Sequence, residues 1–268
     1  MFAGADWIQK KRLKNMPARR HNGLLPPGFS AEHFGPNDYY FWDNFWGLAG
    51  FRAAARQADL CEDESRHRRY RAWARDYEKT IFRIIDSIPE HLAKGCIPAA
   101  PGRRMDAGAV GSLVADYPLG LAPRKDGRIM NTVTFLMENC FFKGGFFQDM
   151  IHSGINAYLT LSIAQTLLRS NDPRFQELIQ TTANLASSTG QWPEAIHPQT
   201  LGGCMGDGQH GWAAAEWVMM IRNLFVREEE GILVIGSGIF PEWMHAKAPI
   251  FFGPTPTPYG TVSVHISP

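Results

Sequence analysis

From Tyr39 onward the apolar residues of this chain fall at helical intervals. Phe41, Phe45, Leu48 and Phe51 recur at steps of three and four, with Trp42, Trp46 and Ala49 beside them, and the pattern runs to about Leu60. Asn37 or Asp38 is placed to cap its start. A second, charged helix is predicted over about residues 64–88, with Tyr70, Trp73, Tyr77, Ile81, Phe82 and Ile85 on one face and Pro89 ending it. A Gly/Pro linker follows at 95–102, then a short Gly-containing helix at about 106–116. Further helices are predicted over about residues 128–139, 149–168, 174–187 and 211–227, with a loop rich in Gly, Pro and His at 188–209. After Glu228-Glu229-Glu230-Gly231 the period switches. Ile232-Leu233-Val234-Ile235 and the alternating Thr261–Ile266 segment predict strands, with a Pro-rich stretch between them.

The predicted class is therefore all-α with a small β tail, and successive paired helices suggest helical hairpins. Three regions result: an irregular basic and Pro/Gly-rich lead-in at 1–36, a helical-hairpin domain at 37–228, and a β-rich tail at 229–268.

Composition narrows the function. Of 268 residues 44% are hydrophobic, which supports a packed core and excludes a disordered chain. A formal net charge of +1 gives no surplus for displacing counterions from phosphates, so nucleic acid is not expected as a partner, although Lys10, Lys11, Arg12, Lys14, Arg19 and Arg20 form a local basic patch. No apolar run approaches the roughly 20 residues of a membrane span. The opening residues show no signal-peptide core, and a start at Met1 predicts a cytoplasmic protein. Cys61, Cys96, Cys140 and Cys204 show no C-x-x-C pairing and read as reduced thiols. Cys204, Asp207 and His210 match no metal-ligand spacing, so no metal is expected.

Two carboxylates flanked by aromatics stand out. Asp43 lies in Tyr39-Tyr40-Phe41-Trp42-Asp43-Asn44-Phe45-Trp46. Partial desolvation there raises a carboxyl pKa and suits a general acid. An acidic residue in a first helical turn also simply favours the helix dipole. Glu194 lies in Gln191-Trp192-Pro193-Glu194-Ala195-Ile196-His197-Pro198, a turn stiffened by two prolines. It reads as a loop-borne general base or as a surface turn residue. Glycoside hydrolysis needs such a pair: one group protonates the leaving oxygen and the other activates water or attacks carbon. Trp42, Trp46, Trp192 and Trp212 offer ring faces for stacking on sugars. Asp149, His152 and Asn156 fall at helical spacing on one face, as a polar stripe into a cleft or a solvated helix surface. Asp106 precedes closely spaced glycines, and Gln209 and His210 precede the last helix, where they can contact substrate or serve the loop. Gly236-Ser237-Gly238 is not a nucleotide loop, since Pro241 intervenes and no third glycine follows. No nucleophile elbow for a Ser/His/Asp triad is present.

At these motifs the chain resembles the six-hairpin glycosidase superfamily, in its glucoamylase-like branch. The residues that carry the resemblance are Gly35-Pro36-Asn37-Asp38-Tyr39-Tyr40-Phe41-Trp42-Asp43, Met105-Asp106-Ala107-Gly108-Ala109, Gly144-Gly145-Phe146-Phe147, Gly190-Gln191-Trp192-Pro193-Glu194, and Gly206-Asp207-Gly208-Gln209-His210-Gly211-Trp212 to Trp217. The resemblance implies a toroid of nested helical hairpins, an (α/α)6-type fold, with a funnel-shaped sugar site. It also implies inverting hydrolysis of α-glucosidic or related bonds without a cofactor, with Glu194 matching the general base. Trp42-Asp43 is the nearest match to the acid segment, where the family usually has Glu. Asp43 matches equally the acidic residue that holds the non-reducing sugar, which leaves Asp106 or Asp149 as acid. A complete toroid of that kind needs more helices than the about seven predicted here. The chain thus resembles the C-terminal part of a longer enzyme, an incomplete toroid whose apolar hairpin faces call for a second subunit or a homo-oligomer. Besides the hydrolase, two alternatives stand: a catalytically incomplete chain that binds carbohydrate or scaffolds, and a sugar isomerase or lyase on the same toroid, working through His152 or His210.

Overall fold

Phe41, Phe45, Leu48 and Phe51 form one buried stripe, as their spacing requires. The computed structural model describes residues 1–14, 21–30, 33–149, 153–245 and 248–267. They divide into two compact units, Met1–Asn139 and Cys140–Pro268.

In the first unit, α1 (Phe2–Lys11) precedes the antiparallel strands β1 (Gly28–Ser30) and β2 (His33–Asp38). Then follow α2 (Phe41–Leu60), α3 (Glu64–Asp86), α4 (Glu90–Ala93), a 3-10 helix (Ala107–Ala115) and α5 (Gly127–Asn139). Asp63 starts α3, its carboxylate accepting the Arg66 amide. α2 and α3 form a hairpin. Phe51 packs on Trp73 and Tyr77 of α3, whose Tyr70, Ile81 and Ile84 are buried as well. Asn44 is the polar centre of this core. Its Oδ1 accepts the Tyr77 hydroxyl at 2.6 Å and the Leu25 amide at 3.0 Å, and its Nδ2 donates to the Tyr40 carbonyl.

In the second unit, β3 (Phe141–Phe142), β4 (Gly145–Gln148), β5 (Gly154–Ile155), β6 (Ala195–Ile196) and β7 (Gly203–Met205) form a five-stranded sheet in that order. α6 (Ala157–Arg169) and α7 (Phe175–Asn184) lie between β5 and β6 in sequence, and α8 (Gly211–Phe225) follows β7. α6 is buried on nearly every side, and even its polar residues Thr160, Gln165, Thr166 and Arg169 are enclosed. The chain closes with the β8 (Val226–Glu229) and β9 (Ile232–Ile235) hairpin, α9 (Pro241–Met244), and the β10 (Ile250–Thr257) and β11 (Gly260–Ile266) hairpin. The chain is thus largely helical with small sheets, more β-structure than an all-α class with a β tail. No described helix is long and apolar enough to cross a membrane.

Four differences from the sequence pattern have physical causes. The irregular lead-in contains α1, because Phe2 stacks on Tyr70 with centroids 5.7 Å apart and Ile8 nests against Gly47 and Gly50. Lys10 and Lys11 at its end complement the helix dipole. Neither Asn37 nor Asp38 caps α2, because both belong to β2 and the helix begins after Tyr40. The helix expected from Asp149 starts only at Ala157, since Gly154–Ile155 is a strand. Asp149 and Asn156 therefore share no helical face, and His152 lies outside the described residues. The Pro-rich stretch expected between two strands is itself β10. A two-stranded hairpin tolerates prolines, and its register shifts between Phe252 and Thr255.

Candidate active site

In the first unit, α2 presents Trp42, Asp43 and Trp46 in its opening turns. With Trp7 from α1 and Phe29 from β1 they line a cavity of about 580 Å³. Trp7, Phe29 and Trp46 are exposed, and the Trp42 and Trp46 ring centroids lie 5.9 Å apart at 58°. These rings supply apolar faces around a single carboxyl group. Burial among them raises the Asp43 pKa above its ordinary 3.8, and the nearby Ser30 hydroxyl tempers the shift. That hydroxyl is buried and has no well-formed hydrogen bond among the described residues.

The raised pKa carries a stability consequence. Folding favours the neutral carboxyl, so the Asp43 contribution is complete below pH 3.8 and is lost as pH rises through the folded value. Asp43→Asn, which is always neutral, is expected to melt above the parent near neutral pH and to lose that advantage in acid. Calorimetry across this range checks it; an advantage of equal size at both ends overturns the assignment.

Asp106 does not line this cavity. Its Oδ1 accepts the Gly108 amide at the start of the 3-10 helix, and its Oδ2 lies 3.3 Å from Arg103. Arg103 in turn donates to the Tyr40 hydroxyl at 3.0 Å. Asp106 is thereby committed to a cap and an ion pair.

In the second unit, Glu194 sits half-buried in the turn before β6. The Asn156 amide donates to the Glu194 carbonyl at 2.9 Å, tying the turn to the start of α6. Gly206 packs against the turn from β7. A Cβ there would stand 3.1 Å from the Glu194 Cβ, and its φ of +78° also requires glycine. Trp192 is buried rather than presented. Its indole N–H donates to the Thr182 carbonyl and its ring packs 5.3 Å from Trp217. The Trp192 carbonyl accepts the His210 amide at 2.8 Å. The His210 and Trp212 rings lie 4.7 and 4.8 Å from Tyr158, so Glu194, His210 and Trp212 are held by one network. Gln209 borders a cavity of about 320 Å³ with Thr189, Gln191, Pro193 and Asp207. Asp149 is exposed just after β4 and joins neither group.

No family model matches the chain, and no curated protein matches it. Solved structures do. A bacterial glucoamylase complexed with acarbose matches with a TM-score of 0.58 over 81% of this chain, at 14% identity. The matched part of the chain has the fold of part of this glucoamylase. A wild-type glycosidase matches over 72% of the chain at a TM-score of 0.54 and 16% identity, and a glycosidase variant in complex with glucose does so at 0.53. The chain spans 49% of the length of these glycosidases and 36% of the glucoamylase.

Within this glucoamylase-like fold the sequence pattern missed Glu216. It lies one turn after Trp212 on α8, and Trp212 Nε1 donates to its Oε1 at 3.3 Å. Burial raises its pKa, and its Oε2 is buried with no hydrogen-bond partner among the described residues. The signal that marks Asp43, a carboxylate between two tryptophans, is present here in Trp212, Glu216 and Trp217. Among the described residues no group of three or more His, Cys, Asp or Glu is placed to hold a metal.

Proposed function

We propose that this protein is a glycoside hydrolase acting on α-glucosidic or related bonds of a neutral carbohydrate, by inverting acid/base chemistry without a cofactor, on an (α/α) toroid. The observation that carries the reading is the Asp43 cavity, where a carboxyl group with a raised pKa stands among exposed tryptophan rings. A carboxyl that burial makes hold its proton to higher pH suits a general acid, and ring faces suit sugar faces. Asp43 gives its proton to the leaving glycosidic oxygen as the C–O bond breaks. Glu194 takes a proton from the water that attacks the anomeric carbon. Asp43 ends ionised and Glu194 protonated, and exchange with solvent restores both. Trp42 and Trp46 serve as platforms. Gln209, His210 and Trp212 serve substrate on the Glu194 side. The glucose and acarbose complexes of the structural neighbours support a sugar ligand.

The test is sugar release from a panel of α- and β-glucosides, maltooligosaccharides and trehalose, with the product anomer followed by NMR. Release of the inverted anomer from an α-linked member is expected. Retention of configuration overturns the inverting assignment. Saturable binding with no release favours instead a carbohydrate-binding role, consistent with the chain's partial span of its structural neighbours.

A further inference from the structure

Between residues of α2 and α3 that do not line the Asp43 cavity lies a second cavity, of about 360 Å³. Arg52, Arg56, Arg71 and Arg75 line it, with Asp59 and Glu78. Four guanidinium groups face two carboxylates, a surplus of two positive charges in a chain whose overall charge is only +1. The arginines come in two pairs four residues apart, one pair on each helix, so like charges stack along both faces. Arg52 is committed: it donates to Glu78 at 2.8 Å. Arg56, Arg71 and Arg75 make no ion pair or hydrogen bond with any described residue, although Asp59 is near. Asp59 faces His67 instead, at 3.7 Å. Like-charged neighbours left unbonded in one concavity oppose the stability of the bare hairpin, and an anion of matching charge relieves that.

We propose that this cavity binds a phosphate dianion, free or carried as the phosphomonoester of a small molecule. Guanidinium forks match phosphate oxygens in pairs, and a charge of about −2 near neutral pH balances the surplus. The volume falls at the lower end of the roughly 300–1,000 Å³ of small-molecule sites, which favours a compact ligand over a polymer.

Titration calorimetry at constant ionic strength, with inorganic phosphate in one arm and glucose 6-phosphate in the other, tests the proposal. Saturable one-site binding is expected in at least one arm, and the tighter arm identifies the source. Arg56→Gln and Arg71→Gln each weaken it about tenfold. Both side chains are exposed, so the variants fold, as circular dichroism verifies. Arg68→Gln, on the same helix but paired with Glu64 outside the cavity, binds like the parent. No saturable heat in either arm overturns the proposal. Equal weakening in Arg68→Gln overturns it too, because the attraction is then diffuse. Tighter binding of a DNA duplex than of either phosphate assigns the patch to a polyanion and overturns the small-molecule site.

Discussion

Replacing Glu194 by glutamine is expected to lower glycoside turnover about 10²- to 10⁴-fold, the usual contribution of a positioned general acid or base, while leaving sugar affinity within about twofold. Glutamine keeps the shape of the side chain and the Asn156 bond, which goes to the Glu194 backbone carbonyl and not to its carboxylate. Gly206 packs on the Cβ and main chain of Glu194, which the substitution does not alter. The turn should therefore stay in place while the proton acceptor disappears. Steady-state rates on the best substrate of the panel, with binding measured by calorimetry on the same variant, separate the two effects. Full activity in Glu194→Gln removes Glu194 from the mechanism. In that event Glu216→Gln becomes the decisive variant, because it is the other carboxylate of this unit set between tryptophans.

The largest stability effect is expected at Glu229. Its carboxylate is almost wholly buried at the end of β8, 2.6 Å from Arg227 Nε and 3.6 Å from Arg169 on α6. Arg227 also reaches the Ser237 hydroxyl. Removing this anion takes a close partner from two guanidinium groups inside the unit. Glu229→Ala should cost about 3–5 kcal/mol, the usual result of breaking a buried ion pair from one side. That corresponds to a fall in melting temperature on the order of 10 °C for a chain of this size. Glu64→Ala removes a partner of Arg68 in a pair whose side chains are mostly in water, and should cost no more than about 1 kcal/mol. Thermal and urea unfolding of the two variants compares them directly. Equal, small losses would show that Glu229 is solvated and not the anchor of β8.

The long helices were legible because their cause is local. α2 and α3 follow from apolar residues at intervals of three and four, and the boundaries expected for α3 and α8 fall within a few residues of those observed. The Asp43 cluster was legible for the same reason. Trp42, Asp43 and Trp46 are neighbours in sequence, so one helical turn suffices to bring them together. α1 was not legible, since Gly4 and a lone Ile8 give no stripe of their own, and its burial comes from Tyr70, Gly47 and Gly50 far along the chain. The five-stranded sheet was hidden because its strands run only two to four residues, too short for an alternation to show. Trp192 appears in sequence as a platform beside Glu194, yet its N–H is spent on Thr182. Glu216 appears as one polar residue of an amphipathic helix, and only its enclosure raises its pKa.

By itself the sequence determined the helical hairpin, the placing of Asp43 between tryptophans, and the stiff Pro-Glu turn that carries Glu194. Each depends on residues within a turn or two of one another, where covalent geometry leaves few alternatives. Only the tertiary structure decided which charges lie in water. Glu228-Glu229-Glu230 is a uniform acidic run in sequence; the fold buries Glu229 between two arginines and pairs Glu228 with Arg222 near the surface. Arg52, Arg56, Arg71 and Arg75 belong to two helices that read as ordinary solvated faces, and only the closing of the hairpin turns them into one basic cavity. Burial and charge proximity are properties of chain segments distant in sequence, so no local pattern encodes them.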